Sequence, residues 1–180
     1  MSAVVHSVNA ASGGGVPKSP VASATLHYGG LEGDKQNDLR YHGGPQRAVC
    51  LYSFEKIRGL QAEGHPIDVG TTGENLTIEG LDWEALEIGM EISVGEALIE
   101  LTKLAPPCNI IIDSFSDKRS NRIFEEKYPG WSRWYAKVLT EGIVEAGDIV
   151  TIATEHAAVL DTVEAMRRQG RRVTILPVDP

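Results

Sequence analysis

The chain has 180 residues, enough for one compact domain and tight for two. Hydrophobic residues make up 42% and charged residues 23%, the balance of an ordinary globular protein. The formal net charge of −8 argues against nucleic acid as a bulk electrostatic partner, but local basic residues can still receive a small anion.

No apolar run approaches the length that spans a bilayer, so no membrane partner is expected. The opening Met1-Ser2-Ala3-Val4-Val5-His6-Ser7 lacks the basic-then-apolar order of a secretory signal. Two cysteines, Cys50 and Cys108, are too few for a disulfide framework. A cytoplasmic chain with reduced thiols is expected.

Val4 to Val8 reads as an opening strand, and Ala11 to Pro20 as a Gly/Pro/Ser loop. The next segment, Gly30-Leu31-Glu32-Gly33-Asp34-Lys35-Gln36, continues through Asp38, Arg40, Tyr41 and His42-Gly43-Gly44-Pro45-Gln46-Arg47. Glycines allow close backbone approach to a ligand, and exposed amides in such turns bind oxyanions. Lys35, Arg40, His42 and Arg47 add positive charge in an acidic chain. The alternative is a polar inter-strand loop.

Arg47 to Tyr52 reads as a buried strand. Phe54 to Glu63 has helical spacing, with Ser53 as N-cap and Gly64 as stop. Gly70-Thr71-Thr72-Gly73-Glu74-Asn75-Leu76 is a Gly-bounded turn in which Asn75 faces either a polar ligand edge or its own hairpin backbone. Short strands at Asn75–Ile78, Glu91–Val94 and Ala97–Lys103 are separated by Gly80, Gly89 and Gly95, the punctuation of a small barrel.

The last of these strands runs into Ala105-Pro106-Pro107-Cys108-Asn109. Two prolines stiffen the approach and hold the thiol in one place. A metal ligand or a reactive sulfur requires this, yet a small buried hydrophobe also satisfies the pattern. The following Asn109-Ile110-Ile111-Ile112-Asp113-Ser114-Phe115 is apolar for a substrate-facing loop. Asp113 is a candidate proton donor or a cap for the next element.

Lys118-Arg119-Ser120-Asn121-Arg122 and Trp131-Ser132-Arg133-Trp134-Tyr135-Ala136 follow. Arg119, Arg122 and Arg133 suit bidentate recognition of phosphate or carboxylate, while Trp131 and Trp134 are read as packing residues. Strands at Trp134–Leu139, Gly142–Val144 and Asp148–Ile152 complete a mostly β chain, a barrel with a few peripheral helices. Ala157 to Arg168 has the period of an amphipathic helix, and Arg171 to Pro177 reads as a further strand. There is no Cys-x-x-Cys zinc spacing, no Gly-x-Ser-x-Gly elbow and no dinucleotide fingerprint.

Taken in order, several of these pieces resemble the MOSC family, named for the C-terminal domain of molybdenum cofactor sulfurases. They are Gly14-Gly15-Val16-Pro17-Lys18, Gly33-Asp34-Lys35-Gln36, His42-Gly43-Gly44, Ala48-Val49-Cys50-Leu51-Tyr52 and Gly73-Glu74-Asn75-Leu76. Pro107-Cys108, Gly130 to Ala136 and Gly147-Asp148-Ile149-Val150 complete the set. The nearest group is the bacterial stand-alone type. The resemblance implies a MOSC-like domain over 1–154, leaving 155–180 as a helix-strand appendage of no assigned role.

It also implies a molybdenum cofactor (molybdopterin), with Cys108 as the metal ligand and a catalytic residue. On this reading Lys35, His42, Arg47, Asn75, Arg119, Arg122 and Arg133 bind the cofactor. Asp113 is the second catalytic candidate, and Cys50 belongs to the core and faces away from the slot. The implied activity is reduction of N-hydroxylated compounds, a small-molecule substrate class. The alternative is a non-catalytic carrier of sulfur or cofactor. The sequence shows no pyridoxal-phosphate desulfurase segment, so it would not generate persulfide sulfur itself. It also shows no ferredoxin cysteine pattern, so a reductase would draw electrons from a separate protein.

Overall fold

The computed structural model describes residues 2–36 and 43–153. The appendage expected over 155–180, and Arg40 and His42, lie outside the described residues. The strands are β1 (Ala3–Ala10), β2 (Ser19–Val21), β3 (Ser23–His27), β4 (Gly30–Leu31), β5 (Val49–Ser53) and β6 (Leu76–Glu79). They continue with β7 (Glu91–Val94), β8 (Ala97–Ala105), β9 (Arg133–Thr140), β10 (Gly142–Glu145) and β11 (Ile149–Ile152). One α-helix among the described residues, α1 (Phe54–Ala62), joins β5 to β6.

The strands β11-β7-β8-β9-β5-β6-β1 form a ring that β1–β11 pairing closes, so the fold is a mostly β barrel. Closure removes the exposed edges that an open sheet would leave. β2 pairs with the outer half of β1, and β3, β4 and β10 make a separate three-stranded sheet. All pairings in the ring are antiparallel except β5 with β6, where Leu51 faces Leu76. That parallel step needs a crossover, which α1 supplies.

Alternation fixes what points inward. Along β8, Ala97, Ile99 and Leu101 are buried, and Ile92 and Val94 of β7 meet them inside the barrel. β5 differs, because all five of its residues are buried. α1 starts where Ser53 Oγ accepts a hydrogen bond from the Lys56 amide at 3.2 Å, and it buries Ile57 and Leu60.

Three features depart from the sequence reading. β2 takes up Ser19 and Pro20 from the expected loop, and β3 and β4 were not expected as strands. β2 has no buried residue, whereas β3 buries Ala24 and Leu26 in alternation with Ser23, Thr25 and His27, a five-residue signal that the sequence reading passed over; Pro20 is tolerated because β2 is an edge strand. The turn before β6 is not a hairpin, because β6 runs parallel to β5. Finally, the segments after Cys108 form 3-10 turns at Asn109–Ser114 and Ser120–Ile123.

Two details shape one end of the barrel. The β8–β9 register shifts between Leu101 and Lys103, and Thr102 Oγ1 shares its one proton between the carbonyls of Gln46 at 2.6 Å and Tyr135 at 3.1 Å. Beyond the shift, Ala105 lies opposite Arg133, so the Pro106-Pro107-Cys108 segment leaves β8 directly across from the start of β9.

Gly70 sits with φ +74°, its carbonyl accepts from the Lys18 amide at 2.9 Å, and a Cβ there would lie 2.1 Å from the Lys18 carbonyl oxygen. Gly70→Ala should therefore cost about 2 kcal/mol or more in urea-unfolding stability, since strain and a backbone clash act together. A loss under about 0.5 kcal/mol, the size of a neutral surface change, would show that the two loops are not locked together here.

Candidate functional site

Four chain segments converge at the end of the barrel where β8 stops and β9 begins. The first is the Gly-rich loop after β1. Asp34 holds it: its carboxylate accepts from the Ala11 amide at 2.9 Å, Lys18 Nζ at 2.6 Å and Asn75 Nδ2 at 2.9 Å. The Asp34 and Lys18 side chains are 1% and 10% exposed, so this is a buried ion pair with further hydrogen bonds. The second segment is Gly70–Asn75. Glu74 is fully buried and accepts from the Gly70 amide at 2.5 Å, Thr72 Oγ1 at 2.7 Å and Thr77 Oγ1 at 3.3 Å. Burial pushes its carboxyl above the ordinary range, against the pull of those donors.

The third segment is Pro106–Ile111. Ser120 Oγ donates to the Cys108 carbonyl at 3.1 Å, and Ser114 Oγ donates to the Thr71 carbonyl at 3.0 Å. The fourth is the start of β9. Arg133 is 4% exposed, and its Nη1 donates to the Thr72 carbonyl while Nη2 donates to the Pro106 carbonyl at 3.1 Å. One guanidinium thus ties the second segment to the third.

Together these segments wall one cavity. Lys18, Lys35, Arg47 and Arg133 line it, with Asn75, Tyr135 and the two cysteines, Cys50 and Cys108. No carboxylate is among the described residues that line it. An acidic chain has therefore gathered four cations around one concave space. Val16, Ile110 and Ile111 add apolar wall, and Ile110 is 56% exposed at the surface.

Of the residues expected from sequence, Cys108, Lys35, Arg47, Asn75 and Arg133 come together here. His42 lies outside the described residues, and Gln36 and Gly43 line the cavity. Asn75 is more committed than expected: Nδ2 bonds Asp34, and its Oδ1 accepts from the Cys50 amide at 3.1 Å. Its side chain braces the wall.

Three residues fall elsewhere. Asp113 has its side chain 89% exposed and pairs with Lys118 at 3.0 Å. The 3-10 turn that starts after Cys108 carries it outward. Arg119 is exposed, and its amide donates to Asp117 at 3.0 Å. Arg122 turns toward α1, where Nε and Nη2 donate to both oxygens of Glu63 at 2.8 and 2.6 Å and the guanidinium stacks on Trp131. Arg122 fastens the loop after Cys108 to the end of α1, and it is not a cavity cation.

Cys50 requires a correction. It was expected to face away from the slot, yet it lines the cavity at 5% exposure, packed with Ala105 and Tyr135. Burial pushes its thiol up, and burial also pushes the Tyr135 hydroxyl up to about 12. Both groups keep their protons at neutral pH. Lys18 and Tyr135 also escaped notice as site residues. The signal for Lys18 was its place after Gly13-Gly14-Gly15, inside a loop that lies close to its neighbours. For Tyr135 and Cys50 no signal existed, because β5 and the start of β9 are buried on both faces.

Comparison with known proteins agrees with this architecture. The MOSC domain matches residues 38–151. The chain belongs to the MOSC domain family. It is similar to YflK of Bacillus subtilis, 34% identical over 135 residues that cover 74% of this chain and 60% of YflK. It is similar also to YiiM of Escherichia coli, 31% identical over 121 residues, 65% of this chain and 53% of YiiM. The chain therefore spans only about half to three-fifths of these relatives. The solved structure of Escherichia coli YiiM superposes with a TM-score of 0.64 and 26% identity, covering 84% of this chain and 69% of that one. Among the described residues no helix of this MOSC chain is long and apolar enough to cross a membrane.

The two thiols should differ sharply toward alkylation. Cys108 is half-buried, whereas Cys50 is buried with its thiol raised. Iodoacetamide at neutral pH, read by mass spectrometry of peptides, should modify Cys108 well before Cys50. Cys50 should react appreciably only at alkaline pH, because the thiolate is the nucleophile. Equal rates at neutral pH would contradict the placement of Cys50.

Proposed function

We propose that this cavity binds a molybdenum cofactor, with Cys108 as the protein's ligand to the metal. We further propose that the chain reduces N-hydroxylated compounds with electrons from a separate electron-transfer protein. The observation that carries the reading is the cavity itself: two thiols and four cations, with no lining carboxylate among the described residues, in a chain of the MOSC family. The fit to a phosphate-bearing, metal-holding pterin has two parts. A deprotonated thiol is a soft ligand suited to such a metal. Cations gathered around a cavity with no carboxylate in the described lining suit a phosphate.

When bound, the cofactor supplies the electron-transfer chemistry at its metal. The chain's residues do the rest. Lys35, Arg47 and Arg133 would hold the anionic cofactor, and His42 remains a proposed member of that set. Lys18 joins them, fixed in place by Asp34. The Pro106-Pro107 approach, the Ser120 hydrogen bond and the Arg133 brace hold Cys108 still. Converting R–NH–OH to R–NH2 and water consumes two electrons and two protons. Tyr135 Oη lines the cavity and stays protonated at neutral pH, so it is the proposed proton holder in place of Asp113.

Cys50 favours a second reading, a non-catalytic carrier of sulfur or cofactor, because a second thiol in the cavity offers another sulfur site. Turnover separates the two. Protein purified from a cofactor-competent host should carry molybdenum and pterin in near-stoichiometric amounts. It should reduce a hydroxylaminopurine or an amidoxime when given an electron donor, and Cys108→Ser should fold normally and lose that turnover. Metal and pterin without turnover would establish the carrier. Absence of both would reject the cofactor.

A further inference from the structure

Among the described residues two buried side-chain nitrogens have no hydrogen-bond partner, Arg122 Nη1 and Arg133 Nε, and only the Arg122 guanidinium is paired with a carboxylate, that of Glu63. The Arg133 side chain must hold a full positive charge, since a guanidinium does not deprotonate in proteins. It is 96% removed from water, its 4% exposure being the remainder. Its Nη1 and Nη2 donate to two neutral carbonyls, those of Thr72 and Pro106. Its Nε is buried with no hydrogen-bond partner, and among the described residues no carboxylate pairs with it. A buried charge left this way costs several kcal/mol, so native proteins pair or neutralise it. The missing partner is an anion with a free acceptor oxygen.

The position of Arg133 says where that anion sits. It stands opposite Ala105 in the β8–β9 ladder and holds the carbonyl two residues before Cys108. The free donor is thus at the thiol end of the cavity. Lys18 lines the same cavity, and its ammonium gives one of its three hydrogens to Asp34. We infer that the thiol end of the cavity is a binding site for a small tetrahedral oxyanion, with Arg133 Nε as its principal donor and Lys18 as a second cation. This goes beyond cofactor binding, because the site exists in the cofactor-free chain and takes inorganic sulfate, phosphate or molybdate.

Nitrogen-15 NMR of the cofactor-free protein tests it directly, since arginine Nε–H groups give their own resonances. Arg133→Lys, needed only to assign the peak, retains the charge. If that variant fails to fold, nuclear Overhauser contacts from Nε–H to the Pro106 and Tyr135 protons assign it in the wild type. Sulfate, phosphate and molybdate are each titrated against chloride at matched ionic strength. The Arg133 Nε–H signal should shift saturably with at least one oxyanion and not with chloride. The thermal midpoint should rise by a few degrees at saturation, as expected for a ligand that binds only the folded state. An Nε–H signal that ignores all three anions overturns the site, whatever the metal and pterin content of the loaded protein turns out to be. In loaded protein, a signal already at its anion-bound position and unresponsive to added anion identifies the cofactor's phosphate as the natural source. A signal that still responds identifies a free anion.

Discussion

The cavity exists because one buried guanidinium joins two loops that share no strand. Arg133 reaches the Thr72 carbonyl on one side and the Pro106 carbonyl on the other. Without that bridge, the turn before β6 and the segment carrying Cys108 would be tied mainly by the Ser114–Thr71 hydrogen bond. The barrel makes the bridge possible. Its β8–β9 ladder continues past the shift at Thr102 to set Ala105 against Arg133, so the arginine starts its strand at the place where the cysteine segment leaves.

The same economy appears on the other wall. Asp34 gathers an amide, an ammonium and a carboxamide, and through Asn75 it reaches the amide of Cys50. Each buried charge there is hydrogen-bonded, which is the condition under which buried ion pairs hold geometry. Neighbouring Glu74 does the same for the Gly70–Gly73 turn. The charges that remain turned to the cavity are positive, against a chain of net charge −8. That contrast gives the site a local preference for anions that the whole protein lacks.

Much of the fold was legible because short strands with turn glycines between them carry their period openly. Ile99 and Leu101 flank the polar Glu100 and precede Thr102, and Ser53 announces a helix. β2 was not legible, because exposed edge residues such as Ser19 and Pro20 carry no buried face to betray them, and β3 was passed over because only Ala24 and Leu26 mark its buried face. In the site, Cys108 stood out through Pro106 and Pro107, and Arg133 through its charge in an aromatic run. Arg122 and Asp113 misled for opposite reasons. A bidentate arginine finds whichever carboxylate the fold brings near, and here that is Glu63. Asp113 follows Cys108 by five residues, yet the 3-10 turn swings it into solvent beside Lys118. Cys50 misled because a strand buried on both faces gives no clue to which face a ligand shares.

The account rests on Cys108 being the one protein sulfur that reaches a bound metal, with Cys50 close by but protonated. Molybdenum K-edge X-ray absorption on the loaded protein measures this directly, because fitting the sulfur shell counts scatterers. The account predicts that Cys108→Ser removes one sulfur from that shell and that Cys50→Ser leaves the count unchanged. An unchanged shell in Cys108→Ser, or a loss in Cys50→Ser, would contradict it.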